Sequence, residues 1–363
     1  MNTFSPYDFG AVGDGQTDDW LAWTQAIQAA QAVGGVVKGD AGAFALSMPL
    51  QITNRVTIRG AGYCGDEGNQ YAGRLIASAN RTGCILLPHQ CNGIEMATNA
   101  AVLIEGLEIG YPVKPPPGTA GISCASAAGT TASMGVNTDS IIRDVFIYRA
   151  DYGIAVQDWY DFDFDNVRIQ DAVTTSIQIA ANIYPSYGDW TITGGKLSSG
   201  TVSYHVAVLS GGGGRLNNIK MNYGNPAPNG CGVIIYGTGN SYIEPFRIDG
   251  CSIEGQQCGV VLERAPGSTT QCSMVEINSQ INCANGIRIV AAPDGSPVWV
   301  QSIRIAGGIN VNPGGICVSL DGVNGALIHG ILSSAGGASS TGIYMGPHAT
   351  NVVSNVVKLA GVI

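Results

Sequence analysis

Three aspartates alternate with two phenylalanines in Asp161-Phe162-Asp163-Phe164-Asp165, directly after Asp158-Trp159-Tyr160. Read as a strand, this segment turns Phe162 and Phe164 toward a core and Asp161, Asp163 and Asp165 toward solvent. Carboxylates two residues apart on one strand face are separated by about 6.5–7 Å. Glycosidases that invert configuration hold an acid and a base roughly 6.5–9.5 Å apart, with a water between them. Close like charges also raise one carboxyl pKa, which keeps one acid protonated. The same residue types equally make a solvated acidic face or a calcium site; no other metal or cofactor is implied.

Aromatic residues gather near these acids. Tyr184, Tyr187 and Trp190 follow about 25 residues later, and with Trp159 and Tyr160 they can form a patch suited to sugar rings. Trp190 has two readings, one facing a sugar and one packed inward. Arg215, Tyr242, Glu244 and Arg264 extend the same side over the next repeats. The expected substrate-binding set is Trp159, Tyr160, Tyr184, Tyr187, Trp190, Arg215, Tyr242 and Glu244. Asp144, Asp151, Glu244, Asp249 and Glu254 remain alternative acids.

Positioning these side chains falls to a repeated strand. It occurs as Gly153-Ile154-Ala155-Val156, Ser176-Ile177-Gln178-Ile179, His205-Val206-Ala207-Val208 and Gly232-Val233-Ile234-Ile235, and again from Gly259, Gly286, Gly315 and Gly342. The steps between these starts are 23, 29, 27, 27, 27, 29 and 27 residues. Before most of them comes a second strand of apolar-x-apolar form, such as Val167-Arg168-Ile169, Trp190-Thr191-Ile192, Phe246-Arg247-Ile248, Val275-Glu276-Ile277 and Ile303-Arg304-Ile305. Alternation within each strand marks one buried face, and a period in the twenties marks stacked coils. The expected fold is all-β, a single-stranded right-handed parallel β-helix. Arg55–Gly60 and Val102–Leu107 read as early coils, and 115–118 and 124–135 as loops.

A solenoid end needs a cover for its core and strand edges. Asp8-Phe9-Gly10-Ala11-Val12-Gly13-Asp14-Gly15-Gln16-Thr17-Asp18-Asp19 precedes a helical run from Asp18 to Val33, stopped by Gly34-Gly35. Thr17 or Asp18 suits the helix cap, and Leu21, Trp23, Ile27 and Ala30 make its apolar face. This opening is similar to the N-terminal signature of the pectate-lyase-superfamily β-helix proteins, which include many phage tailspikes and polysaccharide-degrading enzymes. The resemblance covers about the first 35 residues. It implies a capping helix, a solenoid, a polysaccharide substrate and a parallel homotrimer. Residues 1–40 then form the cap and 41–363 the β-helix, as one structural domain.

Composition narrows the function. A formal net charge of −9 argues against nucleic acid as a partner, and no apolar run reaches the ~18 residues of a membrane span. The ten cysteines contain no CxxC pair, which speaks against zinc. Buried thiols are expected, with Cys231 and Cys258 stacked as a reduced pair in preference to a disulfide. Asn137-Thr138-Asp139 matches one polygalacturonase element, but the other elements of that family are missing or misplaced, and no basic constellation suits a pectate lyase. Met1 lies too near the signature to leave room for a secretory leader. The leading expectation is a phage tailspike-like protein on the virion that binds and cleaves a bacterial surface polysaccharide, as a hydrolase more than a lyase. Other virion proteins are candidate partners at the solenoid ends. The alternatives are a non-catalytic fibre, neck or baseplate component, and a secreted bacterial lyase or hydrolase.

Overall fold

The computed structural model describes residues 1–62, 83–97, 101–125, 139–158, 161–180, 189–209, 212–222, 230–239, 242–243, 245–291, 299–334 and 340–358. Contacts divide the chain into two compact units, Met1–Ser176 and Ile177–Ile363. Each is a stack of coils whose strands pair in parallel with the strands of neighbouring coils.

The first unit begins with the cap. The helix spans Trp20–Val33, and Gly34 ends it in the left-handed region at φ 61°. Asp19 occupies the N-cap, but its side chain turns back to accept from Val12 N–H at 2.6 Å and Gly13 N–H at 3.0 Å. Asp18 takes the Trp20 N–H at 3.2 Å, and Asp14 takes those of Gln16 and Thr17 at 2.8 and 2.7 Å. The acids of the opening therefore hold the loop and helix start together. The buried helix face is Ala22, Trp23, Ala26, Ile27 and Ala30. Leu21, expected on that face, is 58% exposed. Trp23 meets Phe44 of the first coils edge-on, with ring centroids 5.2 Å apart.

Three strand rows follow in this unit. One column of buried residues runs Val37, Ile58, Ile104, Ile142 and Phe164. A second runs Phe44, Leu86, Ile109, Ile147 and Ile169. The third row carries Leu50, Ile94, Ile122 and Ile154. The expected early coils at Val56–Gly60 and Val102–Glu105 are present. Val167-Arg168-Ile169 belongs to the row of Phe146 and Glu108 and not to that of Phe162.

The second unit uses the same logic with longer strands, among them Phe246–Glu254, Gln271–Cys283, Val300–Val311 and Val323–Ser334. One inward column is Ile192, Leu216, Ile248, Ile277, Ile305 and Ile328. Another is Leu197, Met221, Ile253, Ile281, Ile309 and Leu332. The repeated strand lies opposite. Cys231 and Cys258 are register partners, buried and unbridged. Burial pushes the Cys258 thiol up to about 11, so it stays protonated.

The glycine that opens each repeated strand has a steric cause. A Cβ on Gly232, Gly259 or Gly286 would stand 2.3, 2.4 or 2.5 Å from the Cγ2 of Ile253, Ile281 or Ile309. Gly315 does not join this column. Ile287 pairs with Val318, and Val318 with Ile343, which puts Cys317 between Gly286 and Gly342. His205 takes the glycine's place beside Gly232, fully buried. The residue in register with Ile253 one coil earlier is the unbranched Met221.

Two outcomes follow. Gly259→Ala should cost about 1–3 kcal/mol in chemical denaturation through overpacking, whereas Gly200→Ala, with open space at its Cβ, should stay within about 0.5 kcal/mol. Burial holds the His205 pKa down to about 4, only partly offset by its hydrogen bond to the Asn222 backbone. In the unfolded chain the ring titrates near 6.5, so the unfolded state gains the proton first. This contribution is complete above about pH 6.5 and is lost as pH falls toward 4, by about 3 kcal/mol in all. Denaturation midpoints measured from pH 7 to 5 should fall in the native sequence and flatten in His205→Gln.

Candidate functional site

In the first unit the acidic strand runs Phe162–Asp165 with alternating burial. Phe162 and Phe164 are buried, their ring centroids 4.7 Å apart. They fix the pleat, so Asp163 and Asp165 point out and are exposed. Two-residue spacing separates their positions by about 6.5–7 Å. Asp161 is not on the strand. It sits in the left-handed region at φ 50°, partly buried, and its carbonyl accepts from Asp139 N–H at 3.1 Å. The chain must turn into the strand there, and a short polar residue tolerates that backbone. The expected three-carboxylate row is therefore a pair. Trp159 and Tyr160 lie outside the described residues.

Charge organises the surface next to this pair. Asp165 is in register with Arg143, Arg143 with Glu105, and Glu105 with Arg59. Signs alternate along the column, which suits stacked neighbours. Arg143 Nε donates to Glu105 Oε2 at 2.6 Å, and Arg59 donates to Glu105 Oε1. Burial pushes the Glu105 carboxyl up, but the hydrogen bonds from Arg59 and Arg143 outweigh it and hold the group below the usual carboxylate range. Asp163 is in register with Ile141.

The alternative acids serve the backbone and its turns. Asp144 occupies a left-handed turn at φ 52° and accepts from Asn166 Nδ2 at 2.8 Å. Asp151 is buried and accepts from Gly118 N–H at 2.6 Å and Thr174 Oγ1 at 2.7 Å. Asp249 accepts from Asn278 Nδ2 at 2.8 Å, and Glu254 from Ser252 Oγ at 2.7 Å. Among the described residues, no three His, Cys, Asp or Glu side chains gather into a metal-ligating group.

In the second unit Trp190 packs inward and meets Phe246 at 5.9 Å between ring centroids. Its register partner is Gly214, where a Cβ would lie 2.1 Å from the indole. The glycine makes room for a core tryptophan, so Trp190 is unavailable to a ligand. Arg264 is also buried, with Nη1 donating to the Thr270 carbonyl at 3.4 Å. Arg215 and Tyr242 are exposed as expected, Tyr242 by 56%. Tyr184, Tyr187 and Glu244 lie outside the described residues.

Sequence reasoning missed a second charged column. Arg215 is in register with Arg247, Arg247 with Glu276, and Glu276 with Arg304. The available signal was the middle residue of each apolar-x-apolar strand, which must face out when its neighbours face in. Arg247 Nε lies 3.2 Å from Glu276 Oε2, yet its N–H makes no aligned hydrogen bond. A cleft of about 500 Å3 borders this column, with Pro245, Met274, Leu327 and Val353 on its walls.

One test of the first-unit network is direct. Glu105→Gln should lower stability by about 2 kcal/mol, because two guanidinium groups lose a charged acceptor. Urea titration should show this loss at pH 7. It should shrink as pH falls through the depressed Glu105 pKa, where the native carboxylate also takes up a proton.

No known protein-family profile and no curated protein matches the chain in sequence. Solved structures do match in fold. The A-module of the Azotobacter vinelandii mannuronan C-5 epimerase AlgE6 superimposes with a TM-score of 0.63 at 15% identity, over 97% of this chain and 99% of that one. The tailspike of Acinetobacter phage vb_AbaP_AS12 gives 0.54 at 13% identity, over 98% of this chain and 63% of the tailspike. The catalytic unit of an α-1,3-glucanase from Streptomyces thermodiastaticus gives 0.53 at 13%, over 99% and 69%. This chain thus spans less than two thirds of the tailspike's length. At such identities the shared property is the fold, the right-handed parallel β-helix expected from the repeat.

Proposed function

We propose that this chain binds a bacterial surface polysaccharide on the outer faces of its coils and hydrolyses it with Asp163 and Asp165. The observation that carries this reading is the exposed carboxylate pair itself. Two buried phenylalanines hold it on one strand at a separation of about 6.5–7 Å, within the range for inverting hydrolysis. Asp165, beside the Arg143 cation, takes the role of base, and Asp163, beside Ile141, the role of acid. Asp163 gives its proton to the glycosidic oxygen as the bond to the anomeric carbon breaks. Asp165 takes a proton from the water that attacks that carbon from the opposite side. The names of the similar structures, an epimerase of mannuronan, an α-1,3-glucanase and a tailspike, support a glycan as substrate. A homotrimer on a phage particle is part of the same proposal.

A second reading, binding without cleavage by a virion component, is favoured by the exposure of Asp163 and Asp165. Catalytic carboxylates gain strength where water is excluded.

The test is reducing-end release from a panel of capsular and O-antigen polysaccharides, with ultraviolet absorbance followed in parallel. Hydrolysis predicts release without an unsaturated-sugar signal. Asp163→Asn and Asp165→Asn should then each lower kcat by roughly 100-fold or more at unchanged melting temperature. Release with that absorbance makes the protein a lyase and overturns the carboxylate pair. Binding without release establishes the second reading.

A further inference from the structure

We infer that the second unit carries a recognition site for a carboxylated polysaccharide, formed by Arg215, Arg247 and Arg304 around Glu276. The glycan reading above supplies only the sugar as carrier of the carboxylate; the charge of the ligand is argued from this column alone.

Parallel in-register stacking brings like residues of successive coils to about 4.8 Å in the hydrogen-bonding direction. Arg215 and Arg247 are direct neighbours in the column. Like charges in such positions repel and destabilise the stack. Glu276 offsets one cation and has Arg304 on its far side. Three guanidinium groups against Glu276 and the nearby Asp249 leave a local surplus of about one positive charge, on a chain whose formal net charge is −9. Neither Arg215 nor Arg304 has an ion pair among the described residues, and both are exposed. Arg247 turns its buried Nε toward Glu276, 3.2 Å away, and leaves the rest of a side chain that is 43% exposed open to a ligand. An incoming anion relieves the repulsion and takes hydrogen bonds from the exposed guanidinium groups.

The ground around the column suits a sugar polymer. The cleft of about 500 Å3 crosses the strands Phe246–Glu254, Gln271–Cys283, Val300–Val311, Val323–Ser334 and Ala349–Lys358. Four coil spacings make it about 19 Å long, more than one sugar ring needs. At each of the last four strands it meets a left-handed residue: Met274 at φ 51°, Ser302 at 61°, Gly325 at 82° and Asn351 at 53°. These stacked kinks interrupt the pleat in register and re-aim the side chains beside them. Met274 and Val353 are 52% and 61% exposed, offering apolar surface to the C–H faces of sugar rings. Guanidinium groups take carboxylates through paired hydrogen bonds. Glu276 divides the cations into two groups, which fits single negative charges spaced along a chain better than a dense phosphate run.

The experiment measures binding of labelled polygalacturonate, alginate and hyaluronan by fluorescence polarisation, with dextran as the neutral probe and polyphosphate as the sugar-free polyanion. At least one carboxylated glycan should bind, in preference to both controls. Arg247→Gln and Arg304→Gln should each weaken Kd about 10-fold or more, and Glu276→Gln should tighten it. Lys220→Gln removes the same charge from an exposed strand position of this unit and should leave Kd unchanged. Melting temperatures confirm that every variant folds. The inference is overturned if no carboxylated glycan binds, if polyphosphate binds as tightly, or if Lys220→Gln matches the arginine variants. Asp163→Asn separates the two sites: it should lower kcat by roughly 100-fold or more and leave binding of the acidic probe intact. A neutral glycan that is cleaved by a protein indifferent to the arginine variants would end this inference and leave the hydrolase reading standing.

Discussion

A coil of this chain can bury its inward side chains only against the coils before and after it. Parallel, in-register stacking is therefore the constraint on which the remaining structure depends. It builds the isoleucine columns of both units, and it dictates the glycines opposite them. Where a Cβ would stand 2.3–2.5 Å from an isoleucine Cγ2, as at Gly232, Gly259 and Gly286, no side chain fits. His205 breaks that column where the facing residue is methionine, at the cost of burying an imidazole.

The same constraint decides what the outer surface can do. Each outward residue has a fixed neighbour one coil away, so a charge cannot avoid the next charge in its column. Arg59, Glu105 and Arg143 satisfy each other, and Glu105 stays ionised between two guanidinium groups. Arg215, Arg247 and Arg304 have one carboxylate among them. The first column is a stabilising device that closes on itself; the second leaves Arg215 and Arg304 exposed without an ion pair among the described residues. Register held by a buried core fixes the backbone positions of these charges, so binding orders their side chains but not the strands that carry them.

Capping follows from the stacking rule as well. The helix Trp20–Val33 lays the buried Trp23 and Ile27 against the first coils of this chain. The acid-rich opening holds that helix by accepting backbone N–H groups. Asp14, Asp18 and Asp19 all do so, which gives a signature full of carboxylates a structural purpose.

Much of this was legible in the sequence. Strand alternation and the repeat spacing determine the fold class, because burying one face of many short strands leaves few arrangements other than stacking. They also placed Phe162 and Phe164 inward and Asp163 and Asp165 outward, and they put Cys231 beside Cys258. Register was less legible. A turn of variable length separates the strands, so Gly315 looked like the next glycine although Cys317 takes that place. Asp161 fell off its strand because turn conformation is not encoded in alternation. The fate of Trp190 depended on Gly214, one coil away. By itself the sequence determined the alternation of faces within each strand, since that depends only on the two-residue period. Which outward residues become neighbours was decided only by the tertiary structure, because turn lengths between coils set the register that brings Arg247, Glu276 and Arg304 into one column.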